Sequence, residues 1–124
     1  KDISDKTFVL YLPFNEIHDL GLLFLHHEII TSGHKTIYLG RSLPIENLID
    51  LNNHFNKITY ITYLTVEPTE DEIENYINEF SNTILKDNEN ELLIFGRKAK
   101  TINQEKLPKK IQSVENLQDF IATL

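Results

Sequence analysis

The feature that most constrains how this chain folds is a regular alternation of short apolar runs with longer amphipathic stretches. The apolar runs are rich in β-branched and aromatic residues, which favour strands. Strands are therefore predicted at residues 7–12, 35–39, 58–64 and 91–95, with a weaker fifth at Ile111 and Gln112.

Two amphipathic stretches in the first half predict helices. Residues 18–32 are apolar on several sides and precede Gly33, a residue type that commonly ends helices, so a well-buried helix is predicted there. Pro44 is favoured in the first turn of a helix and predicts a second helix that runs to about Phe55.

The second half carries clearer helix signals. Thr69 and Glu72 form a capping-box pattern, in which two side chains satisfy free N–H groups at a helix start. An apolar stripe at helical spacing follows: Ile73, Ile77, Phe80 and Ile84. A helical turn is expected near residues 104–107, and Ser113 is predicted to cap the last helix.

Repeated strand–helix units predict a parallel sheet with helices on both faces. Right-handed crossovers limit the connectivity. For five such units the natural strand order is 2-1-3-4-5, that of a flavodoxin-like (Rossmann-like) α/β three-layer fold. The length of 124 residues suits one domain, so residues 1–124 are expected to form a single unit. Since the sequence does not begin with methionine, we expect it to be part of a longer protein.

Composition removes several classes of function. The chain has no cysteine, which excludes disulfides, thiolate zinc sites and cysteine nucleophiles within it and fits a cytoplasmic protein. It has no run of about 18 apolar residues, so no membrane span is expected. The net charge of −7 disfavours direct binding to nucleic acid. The basic cluster near the C-terminus is interpreted as a solvated patch: Lys98, Lys100, Lys106, Lys109 and Lys110.

A ligand site in such a sheet is expected at the carboxyl ends of the strands, where residues 13–18, 40–43, 65–69 and 96–101 lie. Glu16 and His18 stand in the first of these segments. A metal-ligating imidazole usually donates its other ring N–H to a carboxylate, a role that Glu16 fits. A lone Glu-x-His is more often a helix start with an exposed histidine, and on spacing alone that interpretation is favoured.

The first loop also carries the strongest resemblance to a known family. Residues 16–21, Glu-Ile-His-Asp-Leu-Gly, resemble an Asp-x-His-x-x-Gly signature in its Glu-x-His form. Residues 38–40 with Pro44 resemble the end of that family's second strand, and residues 62–64, Thr-Tyr-Leu, its Ser/Thr-x-Leu motif. Over essentially its whole length the chain resembles the C-terminal cobalamin-binding domain of MerR-type transcriptional regulators, which shares its fold with methionine synthase and the cobalamin mutases.

The resemblance implies roles for individual residues. His18 would be the lower axial ligand of the cobalt in place of the cofactor's own dimethylbenzimidazole, and Glu16 would orient His18. The displaced nucleotide tail would enter a crevice beside the first helix. The residues implied to line that crevice are Gly21, Thr62, Leu64 and Gly96.

The chain departs from the family at the end of the fourth strand. The family's Gly-Gly pair is Gly96-Arg97 here. The Arg97 guanidinium would either crowd the tail or bind its phosphate, for which arginine is well suited. The helical bundle that covers the upper face of the cofactor in relatives is not part of this sequence.

The function implied is that of a non-enzymatic sensor domain in a MerR-type regulator. The cofactor would be cobalamin, with adenosylcobalamin as the light-responsive form known in relatives. DNA would be contacted through a helix-turn-helix domain that lies N-terminal to this sequence. No Walker-type loop, Ser–His–Asp arrangement or dinucleotide fingerprint is recognised in the sequence.

Two alternatives remain open. One is a degenerate domain of the same fold that binds no cofactor and mediates homo-oligomerisation, which Arg97 favours and the intact Glu16-x-His18 pattern disfavours. The other is the cobalamin-carrying subunit of a mutase or methyltransferase. A phosphorylated receiver domain is rejected, because residues 62–64 offer no aspartate at the end of the third strand.

Overall fold

Five parallel strands form one sheet in the order β2-β1-β3-β4-β5 in the computed structural model, which describes residues 6–124. The strands are β1 (Thr7–Pro13), β2 (Lys35–Leu43), β3 (Ile58–Tyr63), β4 (Glu91–Phe95) and β5 (Ile111–Ser113). The predicted flavodoxin-like fold and its strand order are confirmed. Lys1–Asp5, part of the predicted single unit, lie outside the described residues.

Helices cover both faces of the sheet. They are α1 (Leu20–Thr31), α2 (Ile49–Asn52), α3 (Glu70–Thr83) and α4 (Leu117–Ala122), with short 3₁₀ turns at Ile45–Leu48, Arg97–Thr101 and Gln104–Lys106. α1 and α4 pack on one face, against the cluster that contains Leu10 and Ile61. α3 packs on the other, against the cluster that contains Tyr11 and Tyr60.

The first helix is less buried than the sequence predicts. Leu22, Leu25 and Ile29 are fully buried, but Leu20 is 83% exposed and Phe24 43%. A helix in the outer layer of a three-layer fold presents only one stripe to the sheet. The remaining apolar side chains of α1 therefore face outward, and the expectation of a well-buried helix is wrong.

The second predicted helix is also shorter than expected. In place of one helix from Pro44 to Phe55, a 3₁₀ turn at Ile45–Leu48 leads into the single turn of α2. The Asn52 side chain donates to the Ile84 carbonyl at 2.7 Å and so ties the end of α2 to the end of α3.

Both predicted N-caps differ in detail. Thr69 is the N-cap of α3, but its side chain makes no capping hydrogen bond, and the helix start has instead three acidic residues that complement its dipole: Glu70, Asp71 and Glu72. Ser113 belongs to β5, and its hydroxyl donates to the Ala99 carbonyl at 2.6 Å. Asn116 caps α4 and accepts from the Asp119 N–H.

None of the helices in the described residues has the length and apolar character needed to cross a membrane.

Candidate functional site

The loop after β1 makes a tight turn that directs Glu16 into the protein. The Glu16 N–H donates to the Pro13 carbonyl at 2.9 Å, and Asn15 has a φ of 72°. A positive φ at the third position is typical of a type II turn, and asparagine is one of the few residues besides glycine that adopts it readily. Ser42 of β2 braces the turn, since its hydroxyl accepts from the Asn15 N–H at 3.1 Å and its N–H donates to the Glu16 carbonyl.

The Glu16 side chain is completely buried and fully hydrogen-bonded. Its Oε1 accepts from three consecutive backbone N–H groups of the β3–α3 loop, those of Thr65, Val66 and Glu67, at 3.2, 2.7 and 2.8 Å. Its Oε2 accepts from the backbone N–H of His18 at 2.9 Å. Consecutive N–H groups of this kind form a nest that binds an anionic oxygen.

These contacts determine the protonation of Glu16. Burial by itself raises the pKa of a carboxyl group, because it penalises the charged form. The hydrogen bonds from Glu67, His18 and Val66 outweigh burial and lower the pKa of Glu16 to about 2. Glu16 is therefore a carboxylate at neutral pH.

The same carboxylate holds the His18 ring. Nδ1 of His18 lies 2.7 Å from Oε2 of Glu16. Because an ionised carboxylate only accepts hydrogen bonds, Nδ1 must carry the proton, and the neutral ring has its lone pair on Nε2. The His18 side chain is 55% exposed. Solvent therefore reaches a histidine whose ring orientation and tautomer suit a metal ligand.

Large apolar side chains are exposed in the segments around this histidine. Phe14 is 60% exposed, Ile17 54% and Val66 44%, and Leu20 at the start of α1 is 83% exposed. Phe14, Ile17 and Leu20 flank His18 in sequence, while Val66 lies in the loop that binds Glu16. Apolar side chains gathered beside a polar ligating group are typical of binding sites.

Gly21, the second residue of α1 and three residues after His18, lies directly against Tyr63 at the end of β3. A Cβ atom at Gly21 would lie 2.3 Å from Cζ and 2.6 Å from Cε2 of the Tyr63 ring. The ring therefore packs on the bare backbone of α1. Tyr63 was not singled out from the sequence; the signal available was its place two residues after Ile61, on the α1 side of β3.

Thr62 and Leu64, which the resemblance assigns to the same crevice, lie on the other face of the sheet. Leu64 packs in the cluster that α3 covers. Thr62 is completely buried, and its hydroxyl donates to the Tyr11 carbonyl at 2.9 Å. Side chains alternate along a strand, so Thr62 shares the face of Tyr60 and not that of Tyr63. The structure thus brings Glu16 and His18 together, but it does not bring Thr62 and Leu64 to α1.

Gly96 allows the loop after β4 to approach β3 closely. Its φ is 102°, and a Cβ atom there would lie 2.6 Å from the Leu64 carbonyl oxygen. Tyr63 borders a cavity of about 250 Å³ at this point. The cavity is lined by Tyr63, Phe95, Gly96, Arg97, Lys100, Val114, Glu115 and Leu117.

A larger cavity of about 530 Å³ lies between α3 and the loops after β1 and β2, with Glu46, Glu67, Glu72 and Glu79 among its lining residues. His18 does not line it. The candidate site is placed at His18, because the hydrogen bond from Nδ1 to Glu16 leaves the lone pair of Nε2 available to bind a metal. The larger cavity is an open groove lined by acidic residues.

The interpretation of the basic cluster as a solvated patch is wrong for two of its lysines. Lys98 donates to the carbonyls of Val66 and Pro68, so it holds the carbonyl side of the loop whose N–H groups bind Glu16. Lys110 donates to the carbonyls of Leu85 and Asn88. Lysines that satisfy several carbonyls contribute to loop structure.

Fold and site together define a class: a flavodoxin-like domain that carries a carboxylate-oriented histidine at the carboxyl edge of its sheet. No protein-family model matches the chain, and no curated protein matches its sequence significantly. Solved structures of the same fold do match.

The structure of the Methanosarcina barkeri monomethylamine corrinoid protein superposes with a TM-score of 0.72 at 14% identity, over 97% of this chain and 57% of that one. A novel cobalamin-binding protein from Desulfitobacterium hafniense DCB-2 gives a TM-score of 0.60 at 16% identity, over 81% of this chain and 47% of that one. The chain thus spans about half the length of these neighbours, and the likeness establishes a shared fold.

The residues present fit one end of a corrinoid and not the other. His18, oriented by Glu16, suits the metal, and exposed apolar side chains in the adjacent segment, such as Ile17 and Leu20, suit a macrocycle. The crevice beside α1 does not suit a nucleotide tail, because the Tyr63 ring fills the space next to Gly21.

Proposed function

We propose that this domain binds a corrinoid at the carboxyl edge of its sheet, with Nε2 of His18 as an axial ligand of the cobalt. The observation that carries the proposal is the 2.7 Å contact between Nδ1 of the half-exposed His18 and Oε2 of the buried Glu16. A metal bound through one protein nitrogen needs its remaining ligands from elsewhere, and a macrocycle supplies them. The shared fold with corrinoid-binding and cobalamin-binding structures supports this choice of macrocycle.

When bound, the corrinoid would supply a cobalt centre whose upper ligand exchanges. The residues of this chain would bind the corrinoid and orient the ring of His18. Glu16 keeps the proton of His18 on Nδ1, and the nest at residues 65–67 keeps Glu16 ionised. Ile17 and Leu20, exposed apolar side chains within two residues of His18, would offer contact area to the bound group.

We further propose a regulatory role: a non-catalytic, cytoplasmic sensor module of a MerR-type transcriptional regulator. The motifs at residues 16–21 and 62–64 carry this proposal through the family resemblance. DNA would be bound by a helix-turn-helix domain outside this sequence, in keeping with the net charge of −7 here. A corrinoid with an adenosyl upper ligand would be the form sensed if the regulator responds to light.

Absorbance spectroscopy tests the binding proposal. The purified domain is titrated in the dark with diaquocobinamide and, separately, with hydroxocobalamin, then desalted. We expect a retained red species whose spectrum shifts as an imidazole replaces water on the cobalt, and His18→Ala should lose that shift. His27→Ala is the matched control, since His27 is an exposed histidine on α1. Colourless protein with both corrinoids would refute corrinoid binding.

One observation favours a second candidate, a cofactor-free domain that mediates homo-oligomerisation. Leu20, Leu23, Phe24 and Ile30 of α1 are each more than two-fifths exposed. An apolar helix face of this kind is typical of a protein interface. Sedimentation equilibrium would distinguish the candidates: a dimer that dissociates in Leu23→Ser/Phe24→Ser, together with colourless protein in the titration, favours assembly.

A further inference from the structure

The side chain of Tyr63, at the end of β3, packs on the α1 side of the sheet. Its ring contacts the α1 backbone at Gly21 so closely that even a methyl group there would overlap it. The ring also borders the cavity of about 250 Å³ that continues past Gly96 toward α4. A group that entered between Gly21 of α1 and the end of β3 would therefore have to displace the Tyr63 ring.

This position matters for the choice of corrinoid. A complete cobalamin carries a nucleotide tail whose base competes with His18 for the lower face of the cobalt. For His18 to bind on that face, the base must leave the cobalt and occupy another place. The space beside α1 is filled by Tyr63, so the displaced tail either remains in solvent or enters at the cost of the packing between the ring and Gly21.

We infer that Tyr63 is a specificity-determining residue that closes the crevice beside α1, so that the domain selects corrinoids that lack a nucleotide tail. The inference rests on the proposed function, because it concerns which corrinoid binds at His18. A corrinoid without the tail has no base that competes for its lower face, and it needs no space beside α1. The preferred ligand class is thus that of cobinamide.

The test compares two probes on four proteins. Diaquocobinamide and hydroxocobalamin are titrated in the dark against the unaltered chain, Tyr63→Ala, Tyr63→Thr and Tyr63→Phe, with the imidazole-dependent absorbance change as the measure of binding. Tyr63→Thr introduces a β-branched side chain, which suits a strand, in case Tyr63→Ala folds poorly. Tyr63→Phe keeps the ring and is the matched control.

We expect the unaltered chain and Tyr63→Phe to bind cobinamide at least about tenfold more tightly than hydroxocobalamin. In Tyr63→Ala and Tyr63→Thr, the ratio of the affinity for cobinamide to the affinity for hydroxocobalamin should fall by about tenfold. The change should come from tighter binding of hydroxocobalamin, with the affinity for cobinamide nearly unchanged.

The outcomes separate the inference from the proposed function. If both corrinoids bind with a His18-dependent spectrum and the ratio of affinities is the same in all four proteins, Tyr63 does not select the ligand, although the proposed function stands. If no protein of the four binds either corrinoid, the proposed function fails and the inference with it. Binding of hydroxocobalamin by Tyr63→Ala alone would support the closed crevice directly.

Discussion

Oε1 of Glu16 accepts a hydrogen bond of 2.7 Å from the backbone N–H of Val66, so one buried carboxylate joins the loop after β1 to the loop after β3. The other oxygen of the same group orients His18. Lys98 donates to the Val66 carbonyl, which belongs to the same peptide group as the Glu67 N–H that Glu16 binds. The contact between the two loops and the orientation of the His18 ring thus depend on the same side chain, and the two roles are separable by experiment.

Replacing Glu16 by glutamine should weaken the proposed ligand site more than the fold. An amide nitrogen donates hydrogen bonds, so it opposes a protonated Nδ1 of His18 and favours the tautomer with the proton on Nε2. We expect Glu16→Gln to lower the His18-dependent affinity for diaquocobinamide by about 10- to 100-fold, as is usual for groups that orient a ligating histidine. Absorbance titration measures this.

Glu79→Gln is the control for that experiment, since Glu79 is an exposed carboxylate on α3 and its loss removes the same charge. Equal affinity of Glu16→Gln and the unaltered chain, with both proteins folded, would mean that Glu16 does not orient the ligand.

The low pKa of Glu16 predicts a loss of stability in acid. The folded state lowers the pKa from its ordinary value of 4.5 to about 2, so folding favours the ionised form. The resulting contribution is complete above the ordinary pKa and is lost as the pH falls from there toward 2. We expect the difference in unfolding free energy between the unaltered chain and Glu16→Gln to be constant near neutrality and to shrink across this acid range.

Urea unfolding at a series of pH values measures that difference, and subtracting the Glu16→Gln curve removes the titration of other carboxyl groups. A difference that does not change with pH below the ordinary pKa would contradict the ionised, nest-bound state of Glu16.

The contact between Gly21 and Tyr63 predicts that Gly21→Ala destabilises the unaltered chain but stabilises a variant without the Tyr63 ring. Gly21→Ala in the unaltered chain places a methyl group against the ring and should destabilise the fold by about 1–3 kcal/mol. In a Tyr63→Ala background the clash is gone, and alanine is the better helix residue, so the same substitution should stabilise by roughly 0.5–1 kcal/mol. Urea unfolding of the four proteins of this double-mutant cycle gives the coupling.

Additive effects of the two substitutions would show that the ring does not rest on Gly21. The cycle needs no ligand, so its result bears on the closed crevice independently of corrinoid binding.

Asn90 is predicted to stabilise the fold at the amino ends of the strands, opposite the candidate site. It is buried, its Oδ1 accepts from the Ile58 N–H at 2.8 Å, and its Nδ2 donates to Oδ1 of Asn52 at 3.0 Å. Asn90→Ala leaves the Ile58 N–H buried without a partner and should destabilise the fold by about 1–3 kcal/mol. Thermal and urea unfolding measure this.

Asn82→Ala, at an exposed position of α3, is the matched control and should change stability by less than about 0.5 kcal/mol. Equal stability of Asn90→Ala and the unaltered chain would contradict the assigned hydrogen bonds.

Local signals in the sequence were sufficient where neighbours along the chain decide the structure. The strand order follows from the alternation of strands and helices, because parallel strands need right-handed crossovers. Glu16 and His18 stand two residues apart, so a single turn at Asn15 brings them together. Capping and burial were predicted less well, since Ser113 and the outer side of α1 depend on what packs beside them.

The parallel sheet, the edge at which a site is expected and the histidine–carboxylate pair are predictable from the sequence, because each is a consequence of short-range pattern. The hydrogen bonds of the Glu16 oxygens to the loop at residues 65–67, and the position of Tyr63 in place of Thr62 against α1, follow from long-range packing. Alternation divides a strand into two faces, but crossover geometry and register decide which face a given helix covers. Contacts between loops that follow different strands depend on the same register, so they appear only when the sheet is assembled.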